Sequence, residues 1–265
     1  MTASIDNINT AASEGAPLTC LGAADAATEQ TFREKCTVLK TGTGSYAGLL
    51  HIGGGGETLF VKCYLAKHSI ARLAGKLALG RGYTARAAMR ALAGRLRVPA
   101  ERGLVRNRRS GNIYLFSEHL AGTDLAQLYR GGELAEPVLR PLLCLAGESL
   151  ARMHEAGWVH GDFKWGNLLV EQVQPPRLAL LDFDGAGRSR RAVRRGRDVA
   201  RFIVNAEDYR VPEVLARVFL DAYAAARPMS AAQVLSQAAP ALRKLRARHD
   251  RKYGLREVEL FHGEF

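Results

Sequence analysis

A chain of 265 residues with 47% hydrophobic and 24% charged side chains can bury one large core or two modest ones, and reads as a soluble globular protein. No stretch approaches the roughly 18 uninterrupted apolar residues that cross a bilayer, and the N-terminus has neither a basic start nor an apolar signal core, so cytoplasmic residence is expected. A formal net charge of +12 points to polyanionic partners, yet only 7% of residues are aromatic and no basic–aromatic alternation forms a stacking platform, so no nucleic-acid partner is expected.

In chain order, residues 1 to about 30 are rich in Ala, Thr, Ser and small acids without apolar periodicity, and read as a disordered tail. Strand patterns follow at Cys36–Lys40, Leu49–Ile52 and Thr58–Leu65, with Gly42 and Gly44 in the turn between the first two and Gly53–Gly56 as a hairpin turn before the third. Backbone N–H groups at the Gly42–Gly44 turn could lie over phosphates. From about His68 to Arg97 the pattern is helical and basic, with Arg81, Arg86, Arg90, Arg95 and Arg97 among Ala, Leu and Met. A loop and strand from Val98 to Leu104, a basic turn over Arg106–Gly111 and a strand over Ile113–Leu120 complete the first part of the chain. A hinge is expected near Glu118 to Ala121, where backbone groups at Glu118 and His119 could bind adenine, and Ala121–Leu125 reads as a short linker with a helix start capped by Thr123 or Asp124.

The four cysteines (Cys20, Cys36, Cys63, Cys144) are scattered and lack a C-x-x-C pair, which suits reduced, packed thiols better than zinc or a disulfide framework. After Gly131-Gly132 a long helix is expected over Glu136–Glu155, with Leu139, Leu142, Leu143, Ala146, Leu150 and Met153 on one face and Gly157 ending it. Two apolar strands, Leu168–Val170 and Leu178–Leu181, are joined through Gln174-Pro175-Pro176 and would deliver Asn167 and Asp182 to one end. Beyond them lie a run of arginines from Arg188 to Arg197, a helix beginning at Asp198, Ala-rich helical segments interrupted by Pro228 and Pro240, and a last basic helix over Lys244–Lys252.

The residues with chemistry sit between that long helix and the strand pair. His160-Gly161-Asp162-Phe163-Lys164-Trp165-Gly166-Asn167 is H-x-D-x-x-x-x-N, and Leu181-Asp182-Phe183-Asp184 follows as an apolar run ending in Asp. This is the pattern of a kinase catalytic loop and metal-binding segment. A carboxylate at Asp162 can accept the proton of an attacking hydroxyl, and oxygens of Asn167 and Asp182 can ligate magnesium. Lys164, between base and amide, can neutralise charge on the transferring phosphoryl group.

With Phe60-Val61-Lys62 on the third strand and Arg197-Asp198-Val199-Ala200-Arg201 further on, residues 36 to about 225 resemble the bacterial lipopolysaccharide core kinases that phosphorylate Kdo or heptose sugars, distant relatives of protein kinases. The resemblance implies an α+β bilobal protein-kinase-like fold, with an antiparallel-sheet N-lobe over residues 31–119 and a mainly helical C-lobe over 120–265. It implies ATP and Mg2+ as cofactors, Asp162 as base, Asn167 and Asp182 as metal ligands, Lys62 as the ATP phosphate contact and Lys164 as the phosphoryl stabiliser. His160 would be a brace of the loop, and Asp198 an anchor for its backbone. The implied partner is lipopolysaccharide core or another anionic glycolipid, with peripheral contact to the cytoplasmic face of the inner membrane. The alternatives are a protein or aminoglycoside-type kinase and a nucleotide-binding pseudokinase. One departure stands out: no glutamate lies between Glu57 and Glu101, and Ala87 or Ala88 occupies the place of the helix glutamate that orients the strand lysine. Asp184 replaces the usual glycine and takes no assigned role.

Overall fold

The computed structural model describes residues 36–264, apart from 53–56, 69, 70, 72, 74, 76 and 108. The expected N-terminal tail, Cys20 and the Gly53–Gly56 turn lie outside the described residues. Two compact units are present: one includes residues up to Ala91 with Pro99–Leu120, the other comprises Leu92–Val98 with Ala121–Phe265.

In the first unit, β1 (Cys36–Thr41), β2 (Ser45–Ile52), β3 (Glu57–Tyr64), β4 (Glu101–Arg106) and β5 (Ile113–Glu118) form one antiparallel sheet in the order β1-β2-β3-β5-β4. Alternation sets its two faces. On β3, Leu59, Val61 and Cys63 are buried with Leu50, Val105, Tyr114 and Phe116, so Phe60 and Lys62 project to the other face. Lys62 stands in register between Ala47 and Leu115, which fixes its backbone by ladders on both sides.

Of the helical stretch expected from about His68 to Arg97, Ala71, Leu73 and Gly75 are helical, a turn follows at Leu77 and Ala78, and helix α1 runs over Arg81–Leu92, stopping short of Arg97. The chain turns at Gly94, whose φ of +76° suits glycine. The carbonyl of Arg97 accepts Leu180 N–H at 2.9 Å, and its guanidinium pairs with Glu171 at 2.8 Å. These contacts place Leu92–Val98 in the second unit, where an uninterrupted first lobe over 31–119 had been expected.

The second unit is mainly helical. It contains α2 (Leu125–Arg130), α3 (Glu136–Glu155), α4 (Ala192–Asp208), α5 (Glu213–Ala226) and α6 (Ala231–Tyr253), with β6 (Thr123–Asp124), β8 (Leu168–Gln172) and β9 (Arg177–Leu180) in one small sheet and β7 (Trp158–Val159) paired with β10 (Gly187–Arg188). Asp124 caps α2 by accepting Gln127 N–H at 2.9 Å. Helix α3 buries the expected Leu139, Leu142, Leu143, Ala146, Leu150 and Met153 and packs on α5, while α4 packs on α6. Pro240 does not divide the C-terminal helix: α6 is continuous over 23 residues from a capping box of Ser230 and Gln233. Like Pro141 in α3, Pro240 is exposed, so the carbonyl deprived of its N–H partner can take water.

Helix α6 also fastens the chain's last segment. Arg246, buried, pairs with the fully buried Glu207 of α4 and donates to Leu260 O at 2.8 Å, while Glu207 accepts Leu260 N–H at 3.0 Å. Burial pushes the Glu207 carboxyl upward against the pull of Arg246. These buried polar groups are satisfied by one another, which gives the basic helix a structural task.

Candidate active site

Residues 160–167 form an extended loop after β7, closed by a short 3-10 turn over Trp165–Asn167. Alternation organises it. His160, Phe163 and Trp165 are fully buried, whereas Asp162 and Lys164 remain about one-third exposed, at 33% and 34%. Phe163 and Trp165 pack against Phe202 of α4, with ring centroids 6.0 and 5.5 Å apart, and Phe202 stacks on Phe219 of α5 at 3.7 Å. Aromatic burial of this size holds the loop down and leaves the charged side chains between the anchors at the surface.

The loop's backbone is held by α4. Asp198, 1% exposed, accepts His160 N–H at 2.7 Å and Gly161 N–H at 2.8 Å, the anchoring expected of it. Asn205 accepts Trp165 N–H at 3.0 Å. Asp198 is itself held by His154 Nε2 at 3.1 Å, and Tyr223 lies 2.7 Å from His154 Nδ1. Burial lowers the His154 pKa, so the ring is neutral: Nε2–H donates to the carboxylate and Nδ1 accepts from the phenol, whose own pKa burial pushes up to about 12. His160 is a brace in the same sense. Its Nε2 lies 2.9 Å from Leu181 O, which can only accept, and burial lowers its pKa, so the proton sits on Nε2 and is engaged.

Asp162 is the most heavily engaged carboxylate at the surface of the loop. Lys164 Nζ lies 2.8 Å from Oδ2, Arg201 Nε donates to Oδ1 at 2.8 Å, and Asn167 Nδ2 lies 3.4 Å from Oδ2. Partial burial alone would raise its pKa; the hydrogen bonds and charges of Lys164 and Arg201 outweigh burial and hold it below the usual carboxylate range. It is therefore ionised at neutral pH. Each carboxylate oxygen has two lone-pair sites, so an acceptor hydroxyl can still be received.

Antiparallel pairing of Leu168 with Leu180 and the bond from Leu181 N–H to Asn167 O at 2.9 Å bring Asn167 and Asp182 to one end of the β8–β9 pair. Asp182 has φ +60° and ψ +70°, a left-handed conformation that is strained for a residue with a Cβ. Close behind it, a Cβ on Gly161 (φ +82°) would lie 2.2 Å from Gly185 O, so only glycine permits the 160–167 loop to meet the turn after Asp182. Asn167 Nδ2 donates to Asp162 O at 2.8 Å, which assigns its amide oxygen to the other side of the group. An amide oxygen and a carboxylate are hard donors that fit Mg2+, an ion bound by one or two side chains and completed by phosphates and water. Among the described residues no cluster of three or more His, Cys, Asp or Glu forms a metal cage.

The remaining residues expected at the site lie in the first unit. Lys62 Nζ and the Arg81 guanidinium lie 5.8 and 5.7 Å from the Tyr64 ring centroid. Gly42 and Gly44 occupy the β1–β2 turn, which Gly42 N–H closes on Ser45 O at 2.8 Å. The carbonyl of Gly44 accepts Leu65 N–H at 3.1 Å and Arg81 Nη2 at 3.3 Å. At Glu118 the N–H donates to Ala100 O at 2.8 Å and the carboxylate accepts Ala100 N–H at 3.1 Å, which fastens the entry to β4. His119 follows it, exposed. Ala88, in the expected place of the helix glutamate, is fully buried; α1 instead presents Arg86 to Glu101 at 2.9 Å.

Sequence reading gave no role to Arg201, Asn205, His154 or Tyr223. The spacing of Asp198, Arg201 and Asn205, at i, i+3 and i+7 on one helix, was the available signal for the first two. No local pattern pairs His154 with Tyr223.

The sheet-and-helix architecture, the loop and the strand-end aspartate define a protein-kinase-like fold. Sequence comparison agrees: the family model described as protein kinase domain matches residues 103–227. The chain is also similar to the human serine/threonine-protein kinase ULK3, 36% identical over 75 residues, a stretch that covers 28% of this chain and 16% of that protein. The fold and the 160–167 loop are thus similar to those of protein kinases, over the part of the chain that the comparisons cover.

Proposed function

We propose that this protein transfers the γ-phosphoryl group of ATP to a sugar hydroxyl, Kdo or heptose, in the inner core of lipopolysaccharide. The observation that carries the reading is the ionised Asp162 presented beside Lys164, with Asn167 and Asp182 brought to one end of the strand pair. In this reaction the acceptor oxygen forms a bond to the γ-phosphorus as the bond to the ADP oxygen breaks. Asp162 orients the hydroxyl and takes its proton, and Lys164 neutralises the phosphoryl oxygens. Lys62 contacts the ATP phosphates; Asn167 and Asp182 would hold Mg2+, which when bound neutralises charge on the triphosphate. A carboxylate held at low pKa is a weak base, which suits a transition state in which the proton leaves late.

The acceptor assignment is supported by the exposed Arg188, Arg190, Arg191, Arg194 and Arg197, which follow the metal-binding segment directly. Such a surface complements the carboxylates and phosphates of a glycolipid core, and fits peripheral action at the cytoplasmic face of an anionic membrane. Among the described residues no helix is long and apolar enough to cross a membrane. A second reading, transfer to a protein hydroxyl, is favoured by the similarity to a serine/threonine-protein kinase. Incubation with labelled ATP and truncated lipopolysaccharide, protein substrates or aminoglycosides separates these. Label in the lipopolysaccharide alone supports the proposal, and label confined to protein replaces it with the second reading.

A further inference from the structure

Three side chains on one face of α4 grip the catalytic loop, and one of them differs from the others. Asp198 and Asn205 accept backbone N–H groups. Arg201 instead reaches the reactive carboxylate, with Nε donating to Asp162 Oδ1 at 2.8 Å. Its side chain is 38% exposed, and among the described residues it makes no other hydrogen bond or ion pair. A guanidinium offers a planar fork of N–H donors matched to carboxylate and phosphate oxygens. The donors on both Nη nitrogens are not used within the described protein.

The local charge points the same way. Asp162 faces two cations, Lys164 on Oδ2 and Arg201 on Oδ1, so the three groups carry a formal surplus of one positive charge. Lys164 already serves the transferred phosphoryl group in the proposed reaction. The second cation, on the opposite oxygen, leaves a positive charge that the one carboxylate does not balance.

We propose that Arg201 is a specificity-determining residue. It binds an anionic oxygen group, carboxylate or phosphate, carried by the acceptor next to the hydroxyl that Asp162 receives. It thereby selects anionic sugars over neutral and cationic acceptors. The inference rests on the proposed function for the role of Asp162, and it narrows the acceptor to a class of chemistry.

The test uses the full chain loaded with Mg·ADP and measures calorimetric binding of two pairs of probes: Kdo against its methyl ester for the carboxylate, and glucose 6-phosphate against glucose for the phosphate. The expected result is tighter binding of the charged member in at least one pair by about tenfold, the scale of a charge-assisted hydrogen bond. Arg201→Gln should bring that ratio close to one, and Arg201→Lys, which keeps the charge without the fork, should retain part of it and serve as the folding control. Equal binding of both members in both pairs, or a ratio that survives Arg201→Gln, overturns the inference. Transfer from labelled ATP is read separately. Charge-selective binding without transfer to sugar counts against the sugar-kinase reading and leaves the role of Arg201 standing; equal transfer to acid and ester does the reverse. A residue that only positions Asp162 would give a third pattern, in which Arg201→Gln lowers kcat on acid and ester alike without changing their ratio.

Discussion

In the second unit, the residues with chemistry lie on an irregular loop held by side chains distant in sequence, whereas in the first unit Lys62 lies on a strand held by its neighbours' backbones. Asp198, Asn205, Phe202 and Phe219 fix the loop through hydrogen bonds and aromatic burial. Lys62 needs none of this for its backbone, because β2 and β5 supply ladder bonds on both sides. A loop cannot satisfy its own amides, so its geometry depends on single side chains. A strand distributes the same task over many bonds. Substitutions of the side chains that hold the loop should therefore disturb structure and catalysis together, whereas a substitution at Lys62 leaves the ladder bonds of its strand in place.

The largest effect is expected where the loop carries chemistry without holding structure. Asp162→Asn should lower the transfer rate about 1,000-fold, within the range of general-base contributions, while nucleotide affinity stays within about twofold of the original. Single-turnover kinetics and fluorescent-nucleotide binding measure the two. At Asp198 both properties should fail together. Asp198→Ala strands the N–H groups of His160 and Gly161 and the ring of His154 in a buried site, and should cost about 3 kcal/mol or more in a chemical denaturation. On the first unit, Lys62→Met should lower turnover about 100-fold, the scale of losing one charge-stabilising donor, with a stability change inside about 0.5 kcal/mol. A large loss of stability in Lys62→Met would remove the distinction between the two units.

What was legible in the sequence follows the same division. The strand pairs, α3 with its buried face, Asp124 as cap and the meeting of Asn167 with Asp182 depend on local periodicity and turn residues, and these are written in short stretches. The anchoring by Asp198 was legible only through the family resemblance of Arg197–Arg201. Contacts between distant segments were not: the Tyr223–His154–Asp198 relay joins three helices, and the spacing that puts Arg201 on the helix face of Asp198 does not by itself name Asp162 as its partner. Pro240 misled in the opposite direction, since whether a proline ends a helix depends on whether water can reach the deprived carbonyl. The bonds from the Gly42 and Glu118 amides to Ser45 and Ala100 were not legible either, since no local pattern names those partners.

A pH titration examines the loop's supports without substitution. His154 and His160 are buried and have pKa values below the ordinary 6.5. Below that value the unfolded chain takes up protons that the folded chain refuses. Stability from this source is complete above about pH 6.5 and is lost as the pH falls from there towards the folded values. The slope can reach about 1.4 kcal/mol per pH unit for each histidine. Thermal melts between pH 7.5 and 5.5 should show the decline, and His154→Gln should flatten it.

The smallest effect expected tests how the first unit manages without a helix glutamate. Its polarity is reversed: the acid, Glu101, is on β4, and the cations, Arg86 at 2.9 Å and Arg90 at 3.8 Å, are on α1. The pair is mostly shielded, with Arg86 23% and Glu101 11% exposed, yet still near enough to water for a modest contribution. If Glu101 only ties α1 to the sheet, Glu101→Gln should cost about 1 kcal/mol in stability and leave kcat within about twofold. A fall in kcat comparable to that of Lys62→Met would show that the strand acid has taken over the orienting work of the missing helix glutamate, and that the first unit depends on a single side chain as the catalytic loop does.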